Sequence, residues 1–262
     1  MNFVSVRTAC PVALVLAAAC SKQESAPSAP LASAVTAAPA PAASMLTDYA
    51  IDVASKAAID LEAPKEHIKA DATSAAGSLR VDLAKLTNSR GEVKFDLTQL
   101  KFRTFDDEGK NASQTEHARN WLEVGALVDA PTRAGNQFVV FAIQSIEAVS
   151  EPDVSKIAPV RVGDEDVRSA TLTARGDFLL HGRKVSKDVA LQVAFHYAKG
   201  ADAVARPLFI SVKTATPMHV TLAEHDVKPL DGFGKVAQWT ANLVSKVATN
   251  ADVTLDLRAS PR

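Results

Sequence analysis

Residues 171–182 read TLTARGDFLLHG, and their alternation constrains the fold more than any other feature of the chain. Leu172, Ala174, Gly176, Phe178 and Leu180 are apolar or small, whereas Thr171, Thr173, Arg175, Asp177 and His181 are mostly polar. A side-chain period of two is a strand with one wet and one dry face. Slipping its register by one residue would turn the whole apolar set to water. The dry face must therefore look at a packed core or at a cavity.

The same period recurs along the chain. Leu79, Val81 and Leu83 alternate with Ser78, Arg80 and Asp82; after a turn at Asn88–Gly91, Val93, Phe95 and Leu97 alternate with charged residues. That pair predicts an antiparallel hairpin. Phe138–Ile146 is apolar on both faces and predicts a central or covered strand. Val189, Leu191, Val193 and Phe195 form another alternating run, and Leu208–Thr214 and Val253–Leu257 complete the set. Two segments carry helical spacing. Residues 113–125 open with a Ser113-x-x-Glu116 capping box and stop at Gly125, with Ala118, Trp121 and Leu122 facing inward. Residues 234–248 repeat Val236, Trp239, Leu243 and Val247 on one face. No long period repeats, which argues against a solenoid or propeller. The expectation is an all-β domain with two short helices, a barrel in preference to a sandwich.

Ahead of this domain lie two segments of other character. In residues 1–19 a short n-region with Arg7 leads into the apolar stretch Pro11–Leu16 and then Ala17–Ala19, the pattern of a signal peptide. Cys20 follows the three alanines, which resembles a bacterial lipobox, although Ala17 stands where leucine is usual. An ordinary small-x-small site would also cut after Ala19. The expected mature chain carries a lipid on Cys20 that anchors it to a membrane, by its Lys22 the outer membrane facing the periplasm; without the lipid it would be secreted or periplasmic. Residues 20–44 are dominated by Ala, Ser and Pro with no apolar period, the composition of a disordered tether. The domain itself is expected over residues 45–262.

Composition narrows the function. A net charge of −1 without a basic stripe makes nucleic acid an unexpected partner. The only cysteines, Cys10 and Cys20, precede the domain, so it has no disulfide, thiolate cluster or cysteine nucleophile. No H-E-x-x-H, G-x-S-x-G or phosphate loop is present. His219, Glu224, His225 and Asp226 are the best metal candidates and read as a solvated loop, while the Asp106–Asp107 pair reads as solvated charge in a turn. No enzyme activity, cofactor or metal is expected.

Residues 172–195, LTARGDFLLHGRKVSKDVALQVAF, resemble the signature hairpin of the YceI-like family. The matching positions are Gly176, Leu180, His181 and Gly182, followed by Val189, Leu191, Val193 and Phe195. In place of the family's T-K-P turn stands Val185-Ser186-Lys187. Residues 77–100 and the segment Glu116–Val124 are similar to other parts of the family, and residues 224–250 look like an elaboration. The resemblance implies a lipocalin-like antiparallel β-barrel of about eight strands that holds a polyisoprenoid or other amphiphilic lipid. Candidate interior residues are Val81 and Phe95 from the first hairpin, Phe178 and Leu180 from the second, then Leu191, Val193 and Phe195, with Ile210. The rival expectation is a filled barrel acting as an envelope adaptor.

Overall fold

The computed structural model describes residues 46–64, 66–202, 204–228 and 248–262. The leader, Cys20, the tether and nearly all of the second helical segment at 234–248 lie outside the described residues. Among the described residues, thirteen strands join one sheet whose pairings are all antiparallel. In chain order these are β1 (Leu46–Ile51), β2 (Lys56–Ala63), β3 (Glu66–Ala72), β4 (Ala75–Asp82), β5 (Arg90–Asp96) and β6 (Lys101–Phe102). Helices α1 (Glu108–Trp121) and α2 (Ala130–Asn136) precede β7 (Phe138–Glu147). Then come β8 (Val160–Val162), β9 (Glu165–Leu180), β10 (Arg183–Ala198), β11 (Phe209–Thr214), β12 (Met218–Thr221) and β13 (Asn250–Pro261).

Eight strands close a ring in the order β1-β4-β5-β7-β9-β10-β11-β13, and β13 returns to β1 through Tyr49 opposite Pro261. The expected ring of about eight antiparallel strands is present. Beyond its first end, β2, β3 and β6 carry on the wall, with β2 pairing the early residues of β13 and β6 pairing β3. β6 ends this extension, and among the described residues no strand pairs with its other edge.

The long hairpin follows its sequence pattern. Along β9 every second residue from Ala170 to Leu180 is buried, with partly or fully exposed residues between. On the wet face Arg175 Nε donates to Asp188 Oδ1 across to β10 at 2.8 Å, which holds the Asp188 carboxyl below its usual range. The turn is the two residues His181 (φ 50°) and Gly182 (φ 68°), both left-handed as a tight type I′ connection requires. Val185–Lys187 is not a turn: it lies within β10, opposite Gly176–Phe178. Family likeness at those three positions does not carry the turn, because His181-Gly182 already closes the hairpin.

Helix α1 begins five residues before the expected capping box. The Asp107 carboxylate accepts from the backbone N–H of Gly109 and Lys110 at 2.8 and 3.1 Å, so Asp107 is the cap and not free solvated charge. Ser113 and Glu116 lie mid-helix. The buried positions of α1 are Asn111 and Thr115, and they explain why a helix covers this edge. Thr115 Oγ1 accepts from Phe102 N, Asn111 exchanges two hydrogen bonds with the Phe105 backbone, and Arg119 donates to the Leu100 carbonyl. These side chains satisfy backbone groups that a further strand would otherwise pair. The second helix, α2, was not foreshadowed by apolar spacing: Asp129 caps it by accepting from Thr132 N, and Pro131 follows in its first turn.

The far end of the ring is plugged. Leu86 and Val154 are buried there, and the segments carrying them are tied by Leu86 N to the Pro152 carbonyl and by Val154 N to the Leu83 carbonyl. Buried Arg168 donates to the carbonyls of Ser155 and Ile157 and lies over the Tyr197 ring. Burial pushes the Tyr197 phenol up to about 12, as expected where water is excluded.

Candidate functional site

The interior of the ring is hollow at one end and packed at the other. At the end formed by β2, β3, α1 and the start of β13, a cavity of about 670 Å³ opens. At the plugged end only about 80 Å³ is left. Phe141, Val93, Val189 and Leu255 touch both spaces and form the floor between them.

Side-chain size explains the division. The cavity-facing positions of β2, β3 and β13 include Ala57, Ala70, Ala72 and Ala251, which occupy little of the cross-section. Around the small void the inward residues are larger, among them Leu172, Leu191, Phe195, Ile210 and Leu257. Both sets keep the period of two, so each satisfies the alternation while filling the ring differently.

The expected interior residues divide along the same line. Phe95, Phe178 and Leu180 line the cavity. Val81, Leu191, Val193, Phe195 and Ile210 line the small void and pack against one another, away from the cavity. Their inward direction follows from alternation, but their distance from the cavity comes from which end of the ring each strand segment reaches. On α1, Ala118, Trp121 and Leu122 line the cavity, as their helical spacing implies, whereas Ile59, Leu61 and Ile68 on the β2–β3 hairpin were missed. A run of inward-facing alanines, A-x-A in Ala70-Asp71-Ala72, was the available signal. The filled-barrel expectation does not describe this molecule, because one end holds a cavity.

The cavity wall is apolar except along its mouth. Lys110, Ser113, Gln114 and His117 of α1 border it, together with Glu66 at the start of β3. Further along α1, Ala118, Trp121 and Leu122 continue the wall in apolar form. Beside the mouth, His181 Nδ1 donates to the carbonyl of His225 at 3.0 Å, and its Nε2 lies 3.2 Å from Glu123 Oε2. Glu123 has a left-handed backbone just past α1 and also accepts from Asn136 of α2. This cluster fastens both helices to the β9–β10 turn. His225 itself is fully buried, with Nδ1 3.1 Å from the Arg183 carbonyl and its ring edge-on to Phe178. Desolvation holds its pKa below the usual histidine value.

The metal candidates do not converge. His219 pairs with Asp252 at 3.0 Å, whereas His225 is turned into the Arg183 backbone. Among the described residues, no three His, Cys, Asp or Glu side chains are placed to share an ion.

No family model matches the sequence, and no curated protein matches it. Among solved structures, the crystal structure of Burkholderia cenocepacia BcnA is similar at 13% identity with a TM-score of 0.50, covering 80% of this chain and 99% of that one. The chain has a YceI-like fold. A polyisoprenoid binding domain from Saccharophagus degradans implicated in plant cell wall breakdown is also similar, at 16% identity and a TM-score of 0.46, over 82% of this chain and 98% of that one. Here the YceI-like ring keeps its cavity at the end that β2, β3 and β6 extend, so α1 is both a piece of wall and the border of the mouth.

Proposed function

We propose that this protein is a binding protein that holds one amphiphilic lipid, a polyisoprenoid or a chain of similar apolar character, in the hollow end of its ring. The observation that carries this reading is the cavity of about 670 Å³ lined by aliphatic and aromatic side chains. Small-molecule sites fall at about 300–1,000 Å³ and are mostly apolar with a few polar groups. The plugged end shows that the same chain packs tightly where it is built to, so the void is a local feature of the sequence. Burying about 400 Å² of apolar chain contributes about 10 kcal/mol at ~25 cal/mol/Å². Lost freedom offsets several kcal/mol of that. Shape and apolar lining are therefore enough for retention, without a catalytic group or a cofactor. The hairpin resemblance at Gly176–Gly182 favours a polyisoprenoid as the chain.

We further propose that a lipid on Cys20 holds the domain at a bacterial envelope membrane through residues 21–44, the outer membrane facing the periplasm. Leu46 enters the ring opposite Asp82, at the plugged end.

Cell fractionation and native mass spectrometry test both parts together. The full chain is expected with membranes and the Cys20→Ala variant in the soluble fraction. That soluble variant should carry one chain-lipid adduct per molecule after gentle purification. A uniformly bare mass that takes up no added prenol would sink the lipid reading. Equal partitioning of the two chains would remove the anchor.

A further inference from the structure

We propose that the α1 border of the cavity mouth selects a lipid whose head is anionic and rich in acceptor oxygens, a carboxylate or a phosphate. This rests on the cavity being the lipid site and specifies its ligand. Lys110, Ser113, Gln114 and His117 follow one stripe of α1, and Ala118, Trp121 and Leu122 prolong that stripe. At ~1.5 Å rise per residue, Lys110 and Trp121 lie about 16 Å apart along the helix. One helix thus offers a polar half and an apolar half to the same ligand, in the order of an amphiphile's head and chain.

Donors outnumber acceptors at this mouth. Lys110 brings an ammonium that has no carboxylate partner among the described residues; it lies 5.8 Å from the centre of the Phe105 ring. The Gln114 carbonyl oxygen is occupied by the Thr104 hydroxyl at 2.7 Å, which leaves its two N–H groups to donate. The Ser113 hydroxyl and the His117 ring add further donors. Against them stands one carboxylate, Glu66, on β3. Asp107 does not compete, since its carboxylate is turned to the amides of Gly109 and Lys110. A charged head cannot follow its chain inside, because an unpaired ion in an apolar cavity is strongly disfavoured. It stays at the mouth, where the donors are.

The test compares farnesoic acid, farnesyl phosphate and farnesol, which share one chain and differ in the head. Binding is read from Trp121 fluorescence in the full chain carrying Trp239→Phe, which leaves Trp121 as the single tryptophan. An anionic head is expected to bind about tenfold or more tighter than farnesol, the scale of one charge-assisted hydrogen bond. The preferred anion, acid or phosphate, identifies the head. Lys110→Gln should narrow the anion-to-farnesol ratio several-fold, and added salt should narrow it in the parent. Lys110 is exposed, and circular dichroism checks that the variant is folded. Equal affinity for all three ligands overturns the proposal, as does a ratio that Lys110→Gln leaves unmoved. Failure of all three ligands to bind overturns the lipid-cavity reading itself, a separate result.

Discussion

A Cβ at Gly176 would lie 2.5 Å from the Ala142 carbonyl oxygen and 2.7 Å from the Phe141 ring. Alternation marks this position as a side-chain-free spot where a strand bends or a ligand approaches. What approaches is the Phe141 ring of the same chain, seated over Gly176 as part of the cavity floor, beside the bulge in β7 between Ile143 and Ser145. A second residue, His225, carries a pH consequence. Its ring is neutral in the folded chain, walled by Phe178 and the Arg183 backbone, with His181, Lys187 and Glu224 as its titratable surroundings. Desolvation depresses its folded pKa, so the unfolded chain binds the proton more readily. That contribution to stability is complete above the unfolded pKa, about 6.5, and is lost as pH falls below it. Urea midpoints at pH 8 and pH 5.5 should therefore drop more in the parent chain than in His225→Gln. Parallel drops would show that another group sets the acid limb.

At the scale of elements, α1 is where sequence pattern and structure diverge most. The Ser113-x-x-Glu116 pattern is a sound local signal, yet Asp107 starts the helix earlier because it can accept from two amides. The face that docks α1 is polar, Asn111 and Thr115, since it replaces a strand edge and not a greasy neighbour. Apolar periodicity has no means of registering such a contact. Asp107→Ala should cost about 1 kcal/mol, typical of a lost cap. Hydrogen exchange would place that loss at the amides of residues 108–112, roughly fivefold faster, with β9 and β10 unchanged. Protection lost equally throughout the ring would mean that α1 is integral to the fold and not a covering element.

For the whole molecule, the hollow and plugged ends predict opposite responses to the same kind of change. Ala70 borders the cavity and Ala174 the small void, and both are buried. Ala70→Phe can grow into empty space, so it should abolish lipid retention with a stability change under about 1 kcal/mol. Ala174→Leu overpacks a filled end and should cost ~1–3 kcal/mol. Thermal unfolding and native mass spectrometry on the pair separate the two ends; matching losses in both variants would contradict the division. Alternation is a local property, and on its own it determined the buried face of the long hairpin, the pairing of Leu79–Leu83 with Val93–Leu97 and an antiparallel all-β fold, while the ring of about eight strands was implied by the YceI-like resemblance. Cavity volume is not local. It depends on which side chains meet across one cross-section, and β2, β3, α1 and β13 reach that cross-section from far apart in the chain. Leu180 and Leu191 obey the same alternation, yet only the tertiary structure decided that one faces a cavity and the other its packed neighbours.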